Sequence, residues 1–309
     1  CLKKHEWREM KKPIVVVTHK LPAVIEVRMK ELFDANLNAT GMQMSRDKII
    51  SICEGADVLV PSVTDKIDAD LIERLPGSIK LIANFGVGVN HIDCDVAAAR
   101  GIVVTNTPGV LTEDTADLTI ALLISVPRRL VEGARLARTG NWTGWKPTFM
   151  LGYRVNGKRL GIIGMGRIGQ AVARRAKGFG IQVHYHNRNR VHQEIEGELE
   201  ATWWESLDEM LEHIDLLSIH CPLTQETKQL LNSNRLDRLP EHSVIINTAR
   251  GGIIDEIALA ERLASGRLAG AGLDVYANEP KIHPALLELD NVVAIPHLGS
   301  ATHEGRIAM

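Results

Sequence analysis

From Pro13 onward, short β-branched runs alternate with longer stretches whose apolar residues recur at helical spacing. The runs at 14–17, 57–60, 80–84 and 102–105 lack polar alternation, as expected of strands buried on both faces of a parallel sheet. Amphipathic spacing predicts helices over 21–33, 46–53, 68–75 and 93–100 between them. A long apolar helix is expected over 112–126, with Thr112-Glu113-Asp114-Thr115 to cap it and Pro127 to stop it. An irregular excursion rich in Gly, Trp and Pro follows at 140–156. A second alternating series then begins, with strands expected at 159–163, 182–186, 216–220, 244–247, 271–274 and 292–295. Helices such as 167–179 and 256–265 fill its gaps.

Strictly alternating strands and helices predict an α/β protein, and six parallel strands with crossover helices predict a doubly wound Rossmann sheet. Two domains are expected: a discontinuous one over 13–106 and 296–309, to which the tail returns, and a dinucleotide-binding one over 107–295. Residues 1–12 are charged and aperiodic, and are expected to be a poorly ordered lead-in.

Composition narrows the class. The 309 residues are 45% hydrophobic and 24% charged, which suits globular domains with sizeable cores. A formal net charge of -2 supplies no basic field for nucleic acid. No apolar stretch is long enough to span a bilayer as a helix, so no membrane association is expected. Cys1, Cys53, Cys94 and Cys221 are scattered without a C-x-x-C pair. Such usage suits a reducing compartment, hence a cytoplasmic location, and argues against a zinc site; no metal is expected.

The first chemistry-bearing motif is Gly164-Met165-Gly166-Arg167-Ile168-Gly169, which follows the apolar run Leu160-Gly161-Ile162-Ile163 and opens a helix. Gly164 permits a tight turn, Gly166 lets backbone approach a pyrophosphate, and Gly169 lets helix and strand pack closely. Free N–H groups at the helix start then suit phosphate. About 20 residues further on, an acidic residue would bind the adenosine ribose. Here Asn187 holds that place, followed by Arg188 and Arg190. A carboxylate would repel a 2′-phosphate, whereas guanidinium pairs with it, so NADP(H) is expected as the preferred cofactor with NAD(H) possible. The plainer alternative is that both arginines are solvated loop charges.

Three further residues follow predicted strands, where open α/β sheets bind ligands: Arg250, Glu279 and His297. A histidine suits proton donation to a ketone oxygen near neutrality, and a carboxylate behind it fixes its tautomer. A guanidinium can clamp a carboxylate through two parallel hydrogen bonds. Taken singly, each is as readily a surface ion pair or a structural histidine; together they suit reduction of a 2-oxo acid.

At this point the chain resembles the D-isomer-specific 2-hydroxyacid dehydrogenases, from about Ile14 to its end. The motifs that carry the likeness are 84–93 (Asn-Phe-Gly-Val-Gly-Val-Asn-His-Ile-Asp), 105–110, the glycine turn, 248–252, 274–276 and 296–302. It is most similar to the glyoxylate/hydroxypyruvate reductases, through 141–147 and the arginines after the second strand. The resemblance implies a flavodoxin-like substrate domain, a cleft between the domains, and closure that excludes water. It implies Arg250 on the substrate carboxylate, His297 as proton donor and Glu279 as its partner. It also implies backbone contacts to substrate from Val87 and Gly88, with Gly299 and Ser300 beside His297. Arg167 and Ile168 would face the pyrophosphate; Cys221, Thr248 and Asp274 would line the cofactor. Trp145, or less favourably Trp142, would reach a partner's substrate in a homodimer, with plain packing as the alternative. Glu279 argues against the formate dehydrogenases of this family, which carry Gln there. Other 2-hydroxyacid dehydrogenases (phosphoglycerate, phenylpyruvate or lactate type) stay open, as does a dinucleotide-sensing corepressor.

The remaining clusters have blander readings. His91, Asp93 and Asp95 have a metal-like composition, but Asp93 is expected to cap a helix. His184 and His186 share one strand face and are too few for a metal site. Cys221 has no neighbouring base in sequence and reads as packing, not as a nucleophile.

Overall fold

A computed structural model describes residues 11–309. Most of the lead-in expected at 1–12 therefore lies outside the described residues. The chain divides into two compact units, one reaching Val110 and resuming at His303–Met309, the other spanning Leu111–Thr302. Pro296–Thr302 thus sits with the second unit, not with the first as expected, and the reason is bonding. The N–H groups of Leu298 and Gly299 both donate to Asp274 Oδ1 and Oδ2, at 2.5 and 2.8 Å.

The first unit is a five-stranded parallel sheet of β1 (Ile14–Val17), β2 (Asp34–Asn36), β3 (Val58–Val60), β4 (Leu81–Ala83) and β5 (Val103–Thr105). Its order is β2-β1-β3-β4-β5, flavodoxin-like. Strand β2 was not expected. Asp-Ala-Asn has little intrinsic β preference, and only the ladder from Ile14 to Asp34 makes it a strand. Val16, Leu59 and Ile82 fill one core face with Leu71, Ile72 and Ala97 from the helices Ala69–Arg74 and Cys94–Ala99. Val15, Val17 and Leu21 fill the other.

The second unit holds seven parallel strands, one more than expected: β6 (Arg159–Ile163), β7 (Gln182–His186), β8 (Ala201–Trp203), β9 (Leu216–Ile219), β10 (Val244–Asn247), β11 (Gly270–Leu273) and β12 (Val292–Ala294). The order is β12-β11-β10-β9-β6-β7-β8, so the topology reverses at β6. The extra strand, β8, is a short edge piece paired with β7. Strand side chains alternate between two cores. Leu160, Ile162, Leu216 and Ile246 meet the helices Thr112–Ser125 and Arg167–Lys177; Ile163, Leu217, Ile219 and Ile245 meet Leu207–His213 and Glu256–Ala264. Burial on both faces is why these strands read as continuous apolar runs. The helix Leu130–Arg138, none of whose residues is buried, was also missed.

At the N-terminal ends of these strands, Asp215 accepts from Arg159 N at 2.8 Å, from Arg159 Nε and Nη2 at 3.1 Å, and pairs with His242 Nε2 at 2.6 Å. Burial pushes its carboxyl up, but Arg159 and His242 outweigh that and hold it well below the usual carboxylate range. A depressed folded value means stability that is present above an unfolded value of about 4 and lost as pH falls through the folded one. Asp215→Asn is expected to cost about 1–3 kcal/mol at neutral pH. The gap to the parent should narrow on going to about pH 3 in denaturant titrations, since the unfolded parent's carboxylate then takes up a proton that the folded one still excludes.

Candidate active site

The reversal of strand order brings the ends of β6 and β9 together. Gly164 follows β6 with φ +99°, and a Cβ there would lie 2.6 Å from Cys221 N and 2.7 Å from His220 C. Only glycine accepts both that backbone conformation and that approach. Gly169 is likewise pressed against the turn, with a Cβ position 2.3 Å from Gly164 O. Gly166 differs: nothing lies within 4 Å of its Cβ position. It caps the helix Arg167–Lys177 without any side-chain hydrogen bond, so the helix opens on unshielded N–H groups at Arg167 and Ile168. Open space above a glycine and an uncapped helix start together fit a pyrophosphate.

The neighbouring strand ends beside the turn. Asn187 Oδ1 accepts from Met165 N at 2.7 Å, so the residue at the ribose-binding position is tied to the glycine motif itself. Arg188 is exposed. Arg190 lies against Glu196, with Nε and Nη2 donating at 2.8 and 2.7 Å. His184 and His186 both engage Trp204, through its indole N–H at 3.1 Å and its carbonyl at 3.0 Å.

Cys221 is half-buried, and burial pushes its thiol up to about 11, a protonated and unreactive state at neutrality. Thr248 is buried and shares a hydrogen bond of 2.9 Å with Thr119 Oγ1. Thr119 donates to Thr115 O, and Thr115 donates to Gly299 O at 2.9 Å. Sequence reasoning gave Thr115 only a capping role, which the structure does not show, and missed Thr119, although two threonines four apart share one helix face.

Beyond β12 the chain turns sharply at His297. Its φ is +52°, its N–H donates to Asp274 O at 2.9 Å, and the next two N–H groups reach the Asp274 carboxylate. A left-handed histidine costs about 1 kcal/mol or more, and this triple tether holds it there. Burial raises the Asp274 carboxyl in spite of those two N–H donors. A Cβ on Gly299 would stand 3.1 Å from Asp274 Oδ2, so the loop packs directly on the carboxylate that anchors it.

His297 Nδ1 meets Glu279 Oε2 at 2.7 Å, and Glu279 Oε1 accepts from Tyr276 N at 3.0 Å. Burial pushes the Glu279 carboxyl up, but His297, Tyr276 N and the Arg250 charge together hold it below its usual range. With Nδ1 engaged, Nε2 is the ring nitrogen left for other chemistry. Glu256, also unforeseen, grips the same loop by accepting from Ala277 N at 2.6 Å. Arg250 enters from the end of β10. Its Nη1 donates to Ala249 O at 2.7 Å while Asn247 Nδ2 holds its carbonyl at 2.9 Å. Burial pulls its guanidinium down, a cost that an anionic partner relieves. Arg250, Glu279 and His297 are thus gathered by one sheet, as the strand-end argument expects, and Ser300 follows two residues after Leu298.

In the first unit, the loop after β4 is folded on Asn84, whose Nδ2 donates to the carbonyls of Gly86 and Gly88 at 3.0 Å each. Asn106 Nδ2 holds Val87 O at 2.7 Å. His91 pairs with Asn84 Oδ1, and Asp93 accepts from Val96 N at the start of a helix, the capping role expected of it. Among the described residues no group of three or more His, Cys, Asp or Glu could hold a metal ion, and no helix is long and apolar enough to cross a membrane.

The family model for the NAD-binding domain of D-isomer-specific 2-hydroxyacid dehydrogenases matches residues 120–299. The chain is 43% identical over 302 residues to a glyoxylate reductase of Thermococcus litoralis, covering 96% of this chain and 90% of that one. It is 36% identical over 297 residues to a glycerate dehydrogenase of Hyphomicrobium methylovorum, with 96% and 92% covered. Among solved structures it is similar to an NADPH-dependent glyoxylate/hydroxypyruvate reductase of Sinorhizobium meliloti in complex with NADP and malonate. That match has a TM-score of 0.86 and 36% identity, and covers 96% of this chain and 90% of the other.

Gly164→Ala is expected to strain the turn by about 1–3 kcal/mol, visible as a lower melting temperature. It should also remove dinucleotide affinity in a fluorescence titration. Parental affinity in that variant would mean that the turn is not the dinucleotide's seat.

Proposed function

The chain belongs to the D-isomer-specific 2-hydroxyacid dehydrogenase family, and on that footing we propose that it reduces glyoxylate or hydroxypyruvate with NADPH, His297 giving the proton. Family membership makes it an NAD(P)-dependent oxidoreductase of small 2-oxo acids. The observation that carries the finer reading is the 2.7 Å contact of His297 Nδ1 with Glu279, which leaves Nε2 to face a substrate oxygen.

Reduced nicotinamide, when bound, supplies the hydride that C2 of the 2-oxo acid accepts. Arg250 holds the substrate carboxylate, where an anion also relieves the cost of burying its own charge. His297 Nε2 hands its proton to the C2 oxygen, so that the carbonyl becomes a hydroxyl. Glu279 stays ionised near neutrality, steadies the imidazolium before transfer and fixes the ring's tilt. Asp274 and Gly299 hold the loop that aims the ring. Gly164, Gly166 and Gly169 with Arg167 and Ile168 seat the pyrophosphate, and Thr248, Cys221 and Asp274 line the cofactor, Asp274 on its nicotinamide side. Preference for NADPH rests on the lack of a carboxylate at Asn187 and on the guanidinium of Arg188. The named activity and bound NADP of the Sinorhizobium reductase support it.

The active form we propose is a cytoplasmic homodimer. What supports it is a run of exposed large apolar side chains in one chain segment: Leu130 (49% exposed), Val131 (51%), Trp142 (59%), Trp145 (80%) and Leu151 (67%). In that dimer Trp145 would reach the partner's substrate. Sedimentation at several concentrations tests the assembly, and a monomer throughout would rule it out.

Steady-state oxidation of NADPH and of NADH should be followed with glyoxylate, hydroxypyruvate, pyruvate and phenylpyruvate in parallel. The highest kcat/KM is expected with NADPH and one of the first two; a clear NADH preference overturns the cofactor assignment. His297→Ala should lower kcat by about a hundred- to ten-thousandfold while NADPH still binds. Arg250→Ala should chiefly raise KM, by about tenfold to a hundredfold, the scale of about 1.5–3 kcal/mol for charged hydrogen bonds.

A further inference from the structure

The loop between β7 and the helix Gln193–Leu199 carries two arginines, and the structure treats them differently. Arg190 is spent. Its guanidinium is fork-bonded to Glu196 at 2.8 and 2.7 Å, and it stacks over the Trp203 ring with Cζ 5.3 Å from the centroid. Glu196 is a buried carboxylate, and its second neighbour is the hydroxyl of the fully buried Tyr185, which donates to Oε1. The same hydroxyl accepts from Val191 N at 3.2 Å. Arg188 has no described hydrogen bond or ion pair. The charged group whose field it shares is Glu226, whose carboxyl is held down first by Thr224 and only weakly by Arg188.

The loop is therefore pinned at both ends. Asn187 fastens its start to Met165 N in the glycine turn, and Tyr185 with Glu196 fastens its end at Arg190 and Val191. Resting on the NADP(H) reading above, we propose that Arg190 does not touch the cofactor. It is a positioning residue whose charge cancels that of Glu196, and this neutral clamp leaves Arg188 as the guanidinium that reads the adenosine 2′-phosphate.

The reason is electrostatic. A buried carboxylate close to a phosphate site would repel the phosphate unless its charge were neutralised locally. A bidentate Arg–Glu pair does that while Nε and Nη2 are committed to the carboxylate and the guanidinium face to the Trp203 ring. Arg188 stands between the two pinned ends, so little ordering remains to be done when a phosphate arrives.

The test uses the whole chain with NADPH and NADH, each titrated by cofactor fluorescence, and melting temperatures recorded for every variant. Arg188→Met should weaken NADPH by about tenfold or more and leave NADH unchanged. Arg190→Met should weaken NADPH several-fold and NADH hardly at all, because it exposes the Glu196 charge. The double variant Arg190→Met with Glu196→Gln restores the local charge balance and should return NADPH affinity to within about twofold of the parent. A double variant as weak as Arg190→Met would mean that Arg190 binds the phosphate itself, and the proposal falls. It falls too if Arg190→Met weakens both cofactors equally, which is the mark of a merely structural role, or weakens neither. Unchanged NADPH binding in Arg188→Met, or tighter binding of NADH than NADPH by the parent, would instead sink the NADP(H) reading beneath it.

Discussion

Two backbones meet at Gly164 more closely than any side chain would allow. The end of β6 and the end of β9 touch there, with Cys221 N 2.6 Å from where a Cβ would be. The second unit's ligand-binding geometry follows from that approach. It sets the turn, starts the helix Arg167–Lys177 on open N–H groups, and leaves Met165 N to be taken by Asn187. The strand order reverses at this place, so helices leave the sheet toward opposite faces and a crevice must open between them.

A second constraint acts on the residues proposed to react. His297 is held in a left-handed conformation by three N–H bonds to one aspartate, whose carbonyl takes the residue's own N–H and whose carboxylate takes the next two. The ring is then braced from the side by Glu279, itself gripped by Tyr276 N, with Glu256 on the adjoining Ala277 N. These carboxylates sit partly out of water, and each is satisfied by N–H donors. Such a framework resists the small displacements that would cost a proton transfer its alignment.

Much of this is legible in the chain itself. Parallel strands with both faces buried write themselves as unbroken Val, Ile and Leu runs, so β1, β6, β7 and β10 stand at the expected residues. The elements that escaped are those whose existence depends on neighbours. Strand β2 is Asp-Ala-Asn, β8 is a short edge piece, and the helix Leu130–Arg138 buries nothing. The domain boundary slipped for the same reason: nothing local in Pro296–Thr302 announces that Asp274, more than twenty residues away, will bind it.

The proposed site residues divide along the same line. Glycine spacing, the missing carboxylate at Asn187 and the positions of Arg250, Glu279 and His297 after strand ends were determined by the sequence, because conformational freedom, charge and periodicity are local properties. The structure alone decided how charges were partnered. It gave Arg190 to Glu196 and left Arg188 without a described partner, though the two read alike in the chain. It also recruited Thr115, Thr119 and Glu256 to support groups far away in sequence. Which guanidinium is spent and which is available depends on a buried carboxylate one helix further on, and distance across a folded sheet is not encoded in any stretch short enough to read by eye.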